Sequence, residues 1–383
     1  GADAVDYVTE LKRRLSDLNN ASKEWIIRQY DHEVQGGSAV KPLMGPHAGP
    51  SDAAVIRPRL DSNRGIAIGC GLCPHLADID PSWMAVHAID EAIRNVVCVG
   101  GDPARTAILD NFCWGNCEDP EVMGALVRAC QGCYDAAKAY GVPFISGKDS
   151  LNNEFALDPK DAARLREYLQ ARSIDLANNR LRIPSTLLIS AISMIDDVTK
   201  CVTADAKTCR NKGKVDECPF WLLGVPLQGG IEFSLEKAAG LHREVHRLIR
   251  EGVVLAAHDF SEEGFAACMA EMAIGGSCNV DVRLDGSPAV LADPFAPWAS
   301  AYVLQSPDYG LLYKLAAEAS LVVAEVGLGT GDTPAELSVS RCRTVVEGRL
   351  PLVGGVHRLS TGQTVARVAM AELREAWRAP LRW

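Results

Sequence analysis

The sequence predicts an α+β fold built from two domains. Predicted strands and helices are mixed along the chain and do not alternate strictly, which argues against a doubly wound parallel sheet. The chain has 383 residues, of which 48% are hydrophobic, and this is enough for two hydrophobic cores. A polar stretch with few large apolar side chains, residues 196–217, separates two parts that each contain predicted strands and helices.

The first 48 residues are predicted to form a helical and linker segment. Val8, Leu11, Leu15 and Leu18 recur at helical spacing, so we expect residues 4–33 to be helical, in two pieces. Glycine and proline punctuate residues 36–50, which therefore read as a loop.

Residues 49–200 form the predicted N-terminal domain, and its helices carry clear start and stop signals. Asp80 followed by Pro81 is typical of a helix start, and Gly100-Gly101 is typical of the end of that helix near Cys98. The other elements predicted here are strands at 53–57, 65–69, 104–109, 142–145 and 187–194, a helix at 120–140 followed by Gly141, and a charged helical excursion at 157–181.

Residues 215–383 form the predicted C-terminal domain. It begins with an apolar strand at 220–225, followed by an amphipathic helix at 235–250. A strand at 253–259 then leads into a helix at 263–274, and mixed strands and helices continue to the C-terminus.

Composition excludes several classes of protein. The formal charge of −10 argues against a nucleic-acid binder that relies on a broad basic surface. Apolar runs stay shorter than the roughly 18 residues that suggest a membrane span, and the N-terminus lacks the layout of a signal peptide. These features predict a cytoplasmic protein whose thirteen cysteines are reduced, and the wide separation of the two CxxC pairs disfavours structural zinc.

The most informative short stretch is VPFISGKDSLNNE, residues 142–154. Its strand is expected to end in a turn at residues 146–150, where Gly147 allows close approach of the backbone to a ligand. Lys148 offers a positive charge for phosphate, Asp149 an oxygen for a cation or a sugar, and Ser150 a hydroxyl group. A phosphorylated ligand is one interpretation, and an ordinary polar capping turn is the other.

Four oxygen-bearing side chains are candidate Mg²⁺ ligands. Glu91 and Asn95 lie four residues apart on one predicted helix and so share a face. Asp52 precedes a predicted strand and Asp259 ends another, and Mg²⁺ prefers such hard oxygen ligands. The alternative is that the aspartates cap turns and that the Glu–Asn pair is a solvated face. By the same reasoning, His258 is predicted to be structural.

Five polar, glycine-punctuated blocks occur in one order: GPSDAAVIRP from Gly49, IDEAIRNVVCVGG from Ile89, LDNFCWGN from Leu109, the stretch at 142–154, and HDFSEEGF from His258. Together with ASKEWIIRQYDHEVQGG from Ala21, they resemble the synthetase region of the phosphoribosylformylglycinamidine synthase family, which is related to aminoimidazole ribonucleotide (AIR) synthetase. By position, the chain is similar to the second, C-terminal half of that region.

The resemblance implies an AIR synthetase-like half, with an N-terminal α/β domain that contributes to a shared barrel and a C-terminal α/β domain. It implies an ATP-dependent C–N ligase of purine biosynthesis. Such an enzyme converts formylglycinamide ribonucleotide, ATP and glutamine-derived ammonia to formylglycinamidine ribonucleotide, ADP and phosphate. ATP or ADP and Mg²⁺ are the implied ligands.

The site residues implied by the resemblance can be named individually. Asp52, Glu91, Asn95 and Asp259 would bind Mg²⁺. Ser51, Ser261 and Gly147 would contact the nucleotide, and Lys148, Asp149 and Ser150 would contact the ribonucleotide substrate. No catalytic residue is assigned, because CGLCPH (Cys70 to His75) stands where the first half of the family carries a histidine block of the form ETHNHP.

Partners follow from what this sequence lacks. Without the histidine block or a glutaminase segment, the chain is expected to need the N-terminal half of the synthetase and a glutaminase domain or subunit, and to be inactive alone. An isolated half is expected to form a homodimer through residues of roughly 50–110. The alternatives are a stand-alone ATP-dependent synthetase or kinase of the same superfamily, and a scaffold without catalysis. Two glutamates in HDFSEEGF, where relatives read HDxSDGGL, depart from the family pattern at the proposed nucleotide site.

Overall fold

The structure is a computed structural model of the whole chain. It describes residues 6–170, 179–211, 214–260, 263–284, 293–308, 322–332, 335–341, 344–345, 358–359 and 363–382. Within these ranges the elements are numbered in chain order. None of the described helices is long and apolar enough to cross a lipid bilayer.

Eight α-helices lie in the described ranges: α1 Tyr7–Leu15, α2 Glu24–Arg28, α3 Pro81–Cys98, α4 Pro120–Tyr140, α5 Pro159–Gln170, α6 Leu235–Arg250, α7 Phe265–Gly275 and α8 Met370–Arg378. The helix signals in the sequence are confirmed for α3, α4 and α6. Asp119 caps the start of α4 by accepting from the Glu121 amide, and Gly141 ends it with a left-handed φ of 70°.

The strands are β1 Ser38–Val40, β2 Leu43–Met44, β3 Gly49–Pro50, β4 Ala54–Ile56, β5 Gly65–Leu72, β6 Thr106–Cys113, β7 Phe144–Ser150, β8 Glu154–Ala156, β9 Arg180–Arg182, β10 Thr186–Ile195, β11 Cys209–Asn211, β12 Lys214–Asp216, β13 Cys218–Val225, β14 Ala256–Asp259, β15 Asn279–Leu284, β16 Ser300–Gln305, β17 Val322–Thr330, β18 Glu336–Arg341, β19 Thr344–Val345, β20 Arg358–Leu359 and β21 Gln363–Ala369.

Two of the sheets are large. One has six strands in the order β1-β4-β5-β10-β6-β7, and the other has seven in the order β14-β16-β13-β17-β15-β18-β21. Each contains both antiparallel and parallel pairs: β4–β5 is antiparallel and β6–β7 parallel, while β13–β16 is antiparallel and β15–β18 parallel. Mixed sheets combined with helices confirm the predicted α+β class.

The chain folds into two compact units, each of which is discontinuous in sequence. One comprises residues 1–69, 93–106 and 192–383, and the other comprises residues 70–92 and 107–191. The three continuous segments expected from the sequence (1–48, 49–200 and 215–383) stay a prediction.

The larger unit has its main core around α7. This helix is buried on nearly all sides, and Phe265, Met269 and Met272 are inaccessible to solvent. The seven-stranded sheet supplies Phe220 and Leu222 to the same cluster, and α1 and α8 add further apolar side chains. A helix buried all round must be apolar all round, and the sequence FAACMAEMAIG meets that need except at one glutamate.

Three sequence predictions are corrected by the structure. The predicted loop at 36–50 contains β1, β2 and β3, because two of its segments pair antiparallel as Leu43–Pro50 and Met44–Gly49. The two helical pieces predicted within 4–33 are confirmed as α1 and α2, but within the described residues both helices are shorter than expected. The expectation that all cysteines are reduced is wrong, because Cys209 and Cys218 form a disulfide.

Two glycines in β5 let α3 approach this strand closely. An added Cβ at Gly71 would lie 2.0 Å from the Ala88 carbonyl oxygen, in the middle of α3. An added Cβ at Gly69 would lie 3.1 Å from Asn95 Cβ. Because Glu91 and Asn95 lie on α3, these glycines help to set the position of both candidate ligands.

Gly71→Ala should therefore destabilise the fold by about 1–3 kcal/mol, since the added methyl group meets rigid helix backbone. The matched control is Gly124→Ala in α4, where an added Cβ meets nothing within 4 Å. That change should stabilise the protein by about 0.5–1 kcal/mol, because alanine is the better helix former. Urea unfolding of both variants measures the difference, and equal free energies of unfolding would contradict the close packing of α3 on β5.

Candidate active site

A buried cluster brings together three side chains from distant parts of the sequence. Nδ1 of His258 lies 2.7 Å from Oδ1 of Asp52, a residue 206 positions away. The Asp259 amide donates to the same Asp52 oxygen at 2.9 Å. Donor atoms of Asp52, His258 and Asp259 all lie within 4.8 Å of one another. The structure thus places two of the four predicted Mg²⁺ ligands side by side.

Close backbone contacts fix the Asp52 loop within the larger unit. Asp52 follows β3, where an added Cβ at Gly49 would lie 2.5 Å from Gly275 Cα at the end of α7. His258 and Asp259 end β14, a fully buried strand. Asp52 therefore follows a strand that packs against the end of α7, and its own side chain contacts the end of β14.

Burial and charge act in opposite directions on the Asp52–His258 pair. Burial alone would raise the pKa of Asp52, but the charge and hydrogen bond of His258 and the Asp259 amide lower it below its usual value. Burial would lower the pKa of His258, yet the charge of Asp52 raises it well above 6.5. At neutral pH the pair is therefore an aspartate and an imidazolium.

Glu271 and Arg94 complete this environment, and neither was identified from the sequence. Oε2 of Glu271, on α7, lies 3.2 Å from His258 Nε2, so both imidazolium nitrogens face a carboxylate. Arg94 donates to the carbonyls of Phe260 and Ala299, and its guanidinium lies 3.8 Å from the Asp259 carboxylate. Glu271 could have been identified from the sequence, because it is the single charged residue in the apolar helix FAACMAEMAIG. Buried charges need partners, so such a residue is expected to lie near a cation.

The donor set fits a hard divalent cation. Only 1% of the Asp52 side chain is exposed, and its Oδ2 has no hydrogen-bond partner among the residues described. His258 and the Asp259 amide engage the other oxygen, so Oδ2 and the Asp259 carboxylate are the atoms suited to Mg²⁺. A buried carboxylate oxygen without a partner is costly, and a cation would remove that cost.

Glu91 lies in the other compact unit. Its Oε2 accepts from the Leu72 amide at 3.0 Å and lies 3.2 Å from the Cys73 thiol, so it caps the end of β5. Asn95 is buried one turn later on the same helix. The assignment of both residues to Mg²⁺ stays a prediction.

The predicted turn at residues 146–150 is instead part of β7. Asp110, Asn111 and Phe112 of β6 pair in parallel register with Gly147, Lys148 and Asp149. Gly147 is needed for a close approach rather than a turn, because an added Cβ would lie 2.6 Å from Asp110 Oδ1. Lys148 donates to Ser150, and these side chains lie along an exposed strand at the edge of the six-stranded sheet.

Of the two serines predicted to contact the nucleotide, Ser51 lies in the described part of the chain and Ser261 does not. Ser51 precedes Asp52, and its hydroxyl donates to the Ala53 carbonyl at 3.0 Å. Ser261 lies outside the described residues, as does Glu262.

Two family matches cover both halves of the chain. Residues 50–160 match the AIR synthase related protein family, N-terminal domain, and residues 229–325 match the C-terminal domain of the same family. The first match contains Asp52, Glu91 and Asn95, and the second contains His258 and Asp259.

Curated relatives are phosphoribosylformylglycinamidine synthase subunits named PurL. The protein from Anaeromyxobacter sp. (strain Fw109-5) is 30% identical over 396 residues, which cover 98% of this chain and 45% of the relative. The protein from Thermomicrobium roseum is 32% identical over 341 residues, or 83% of this chain and 41% of the relative. The chain spans less than half the length of these relatives.

Solved structures share the fold of this chain. T. maritima PurL complexed with ATP aligns with a TM-score of 0.59 at 16% identity, over 98% of this chain and 56% of that one. A structure of the HypE–HypF complex aligns with a TM-score of 0.50 at 12% identity, over 82% of this chain and 93% of that one. The two domain matches, the PurL relatives and the shared fold together show that the chain belongs to the AIR synthase related protein family.

Proposed function

We propose that this chain is part of a phosphoribosylformylglycinamidine synthase and holds a Mg²⁺–nucleotide site within it. The observation that carries the proposal is the buried pairing of Asp52 with Asp259, which leaves one Asp52 oxygen without a partner among the described residues. Relatives named as subunits of this synthase, and PurL structures complexed with ATP and with FGAR, support the assignment. The whole enzyme would convert formylglycinamide ribonucleotide, ATP, glutamine and water to the amidine, ADP, phosphate and glutamate.

Each residue has a role in this proposal. Asp52 and Asp259 would bind Mg²⁺ from the β14 side, with Glu91 and Asn95 as further oxygen ligands from α3. Ser51 and Ser261 would contact the nucleotide phosphates. When bound, Mg²⁺ supplies positive charge that neutralises phosphate oxygens. His258 would hold Asp52 in one orientation, since its imidazolium is fixed between Asp52 and Glu271.

The exposed strand β7 would face the ribonucleotide. Lys148 and Ser150 offer a charge and a hydroxyl group for a phosphate, and Asp149 offers an acceptor for a ribose hydroxyl. Gly147 brings the Asp110 carboxylate against the strand, and burial followed by the nearby Asp149 charge raises the pKa of Asp110. No residue of this chain is assigned to bond breaking, so catalysis would depend on groups of the sister half.

We propose a sister half and a glutaminase as partners, and self-association when this half is alone. Outward-facing positions of β5 are apolar, with Ile68 and Leu72 each more than 40% exposed. An exposed apolar strand face is typical of an interface. The PurL relatives are more than twice as long as the matched part of this chain. The remaining part of such a protein would cover the apolar face of β5.

Calorimetry with ADP in the presence of Mg²⁺ tests the site. The intact chain should bind, and Glu91→Gln should weaken binding about 10–100-fold, because it removes a ligand charge while keeping an oxygen for the Leu72 amide. Asp61→Asn, an exposed aspartate paired with Arg59, is the matched control and should bind as the wild type does. Equal affinities for all three chains would contradict the assigned ligands.

A stand-alone synthetase is the second candidate, because the chain covers 93% of a chain from the HypE–HypF complex. The two candidates differ in turnover. A stand-alone enzyme would hydrolyse or transfer the ATP phosphate by itself, whereas a synthase half should bind nucleotide without turnover. Phosphate release by the purified chain decides between them.

A further inference from the structure

A basic cavity lies in the larger unit. It is formed by α2, the end of α8 and the segment that follows α8. It has a volume of about 430 Å³ and is lined by Glu24, Trp25, Arg28, Arg378 and Arg382, among others. Three of these residues belong to the block ASKEWIIRQYDHEVQGG, to which the proposed Mg²⁺ site assigns no role. The cavity therefore needs its own explanation.

Positive charge exceeds negative charge in the lining. Glu24 is shared by two guanidinium groups, at 2.7 Å from Arg28 Nε and 3.3 Å from Arg378 Nε. Arg382 pairs at 3.1 Å with Glu375, a side chain that is more than half exposed and so is screened by water. Three arginines thus face one lining carboxylate, in a chain whose formal charge is −10.

A fourth arginine lies next to the lining residues, on α8. Arg374 lies one turn before Arg378 on α8, and its Nη2 is buried without a hydrogen-bond partner among the residues described. Burial and the charge of Arg378 lower the pKa of Arg374, and burial together with both arginines lowers that of His47. Burial is the larger cause in both cases, and the neighbouring arginines add to it, which is consistent with an excess of positive charge here.

We propose that this cavity binds a phosphorylated small molecule of about the size of a mononucleotide. Guanidinium groups recognise phosphate oxygens through paired hydrogen bonds, and Arg28 and Arg382 are exposed enough to reach a ligand. Trp25, 44% exposed, and Leu381 offer an apolar wall for a planar ring. The volume falls in the range of about 300–1,000 Å³ that is typical of small-molecule sites.

The proposed ligand would not require Mg²⁺, which separates this site from the one at Asp52. In EDTA, ADP and inorganic pyrophosphate should both bind the intact chain, whereas adenosine should not. Arg28→Gln combined with Arg382→Gln should weaken binding at least about tenfold. Affinity should also fall as salt is raised, because exposed charges are screened. Calorimetry in 50 mM and then 300 mM NaCl measures both effects.

Two controls make the result decisive. Arg13→Gln removes another exposed arginine that is paired within its own helix, and it should leave binding unchanged. ADP binding in the presence of Mg²⁺ is measured separately on the intact chain and on the double arginine variant, so failure of this site and failure of the proposed Mg²⁺–nucleotide site can be told apart. No saturable binding of ADP or pyrophosphate in EDTA, or binding that the double arginine variant does not weaken, would overturn the proposal.

Discussion

Replacing Asp52 with asparagine should lower the free energy of unfolding by about 3–5 kcal/mol in the absence of any ligand. The reason is electrostatic. The substitution removes the anion that lies 2.7 Å from the buried His258 imidazolium, and it leaves that cation with the carboxylates of Glu271 at 3.2 Å and Asp259 at 3.7 Å. The side-chain oxygen of asparagine can still accept from the Asp259 amide. The loss of stability therefore measures the Asp52–His258 ion pair and not this hydrogen bond.

Asp61→Asn is the matched control for the stability measurement. Asp61 also pairs with a cation at 2.7 Å, but both Arg59 and Asp61 are well exposed and screened by water, so the change should cost far less stability than Asp52→Asn. Urea unfolding at pH 6 in EDTA measures both variants. If Asp52→Asn were no less stable than Asp61→Asn, the Asp52–His258 pair would not be a buried ion pair in solution.

Local signals in the sequence predict much of the fold, because they act over a few residues. Asp80-Pro81 marks the start of α3, and Gly141 marks the end of α4. Both signals act through backbone geometry that depends on neighbouring residues alone. The pairing of Asp52 with Asp259 is different, because 207 residues separate the two. No local pattern encodes such a contact: residue type and position mark both aspartates as candidate Mg²⁺ ligands, and the family resemblance implies that they share one site.

The prediction of a turn at residues 146–150 was wrong because it rested on residue composition and did not consider the pairing of this segment with a neighbouring strand. Glycine, lysine, aspartate and serine are typical of turns, but parallel pairing with β6 extends the strand through all of them. An exposed edge strand does not need apolar side chains, so its sequence resembles that of a loop. Glu271 was overlooked for the opposite reason, since one charged residue scarcely alters the pattern of a buried helix.

The stability of the protein should fall as the pH rises above about 6.5. The folded-state pKa of His258 is raised, so its contribution is complete below the unfolded value near 6.5 and is lost as the pH rises through the folded value. Asp52 has the opposite sign: its pKa is lowered, so its contribution is present above about pH 3.8 and is lost as the pH falls. The ion pair is therefore strongest between these limits, and each unit of pKa shift is worth about 1.4 kcal/mol.

Urea unfolding at half-unit steps of pH, in EDTA, measures this dependence. His258→Gln should remove the decline above pH 6.5, by up to about 1.4 kcal/mol per pH unit. His47→Gln provides the contrast, because burial lowers the pKa of His47 and its removal should affect the profile only towards lower pH. Burial raises the pKa of the Cys98 and Cys268 thiols, so both stay neutral in this window and do not obscure the result. A wild-type profile that His258→Gln leaves unchanged would mean that the imidazole is neutral, and that Asp52 is held by hydrogen bonds without the charge of its partner.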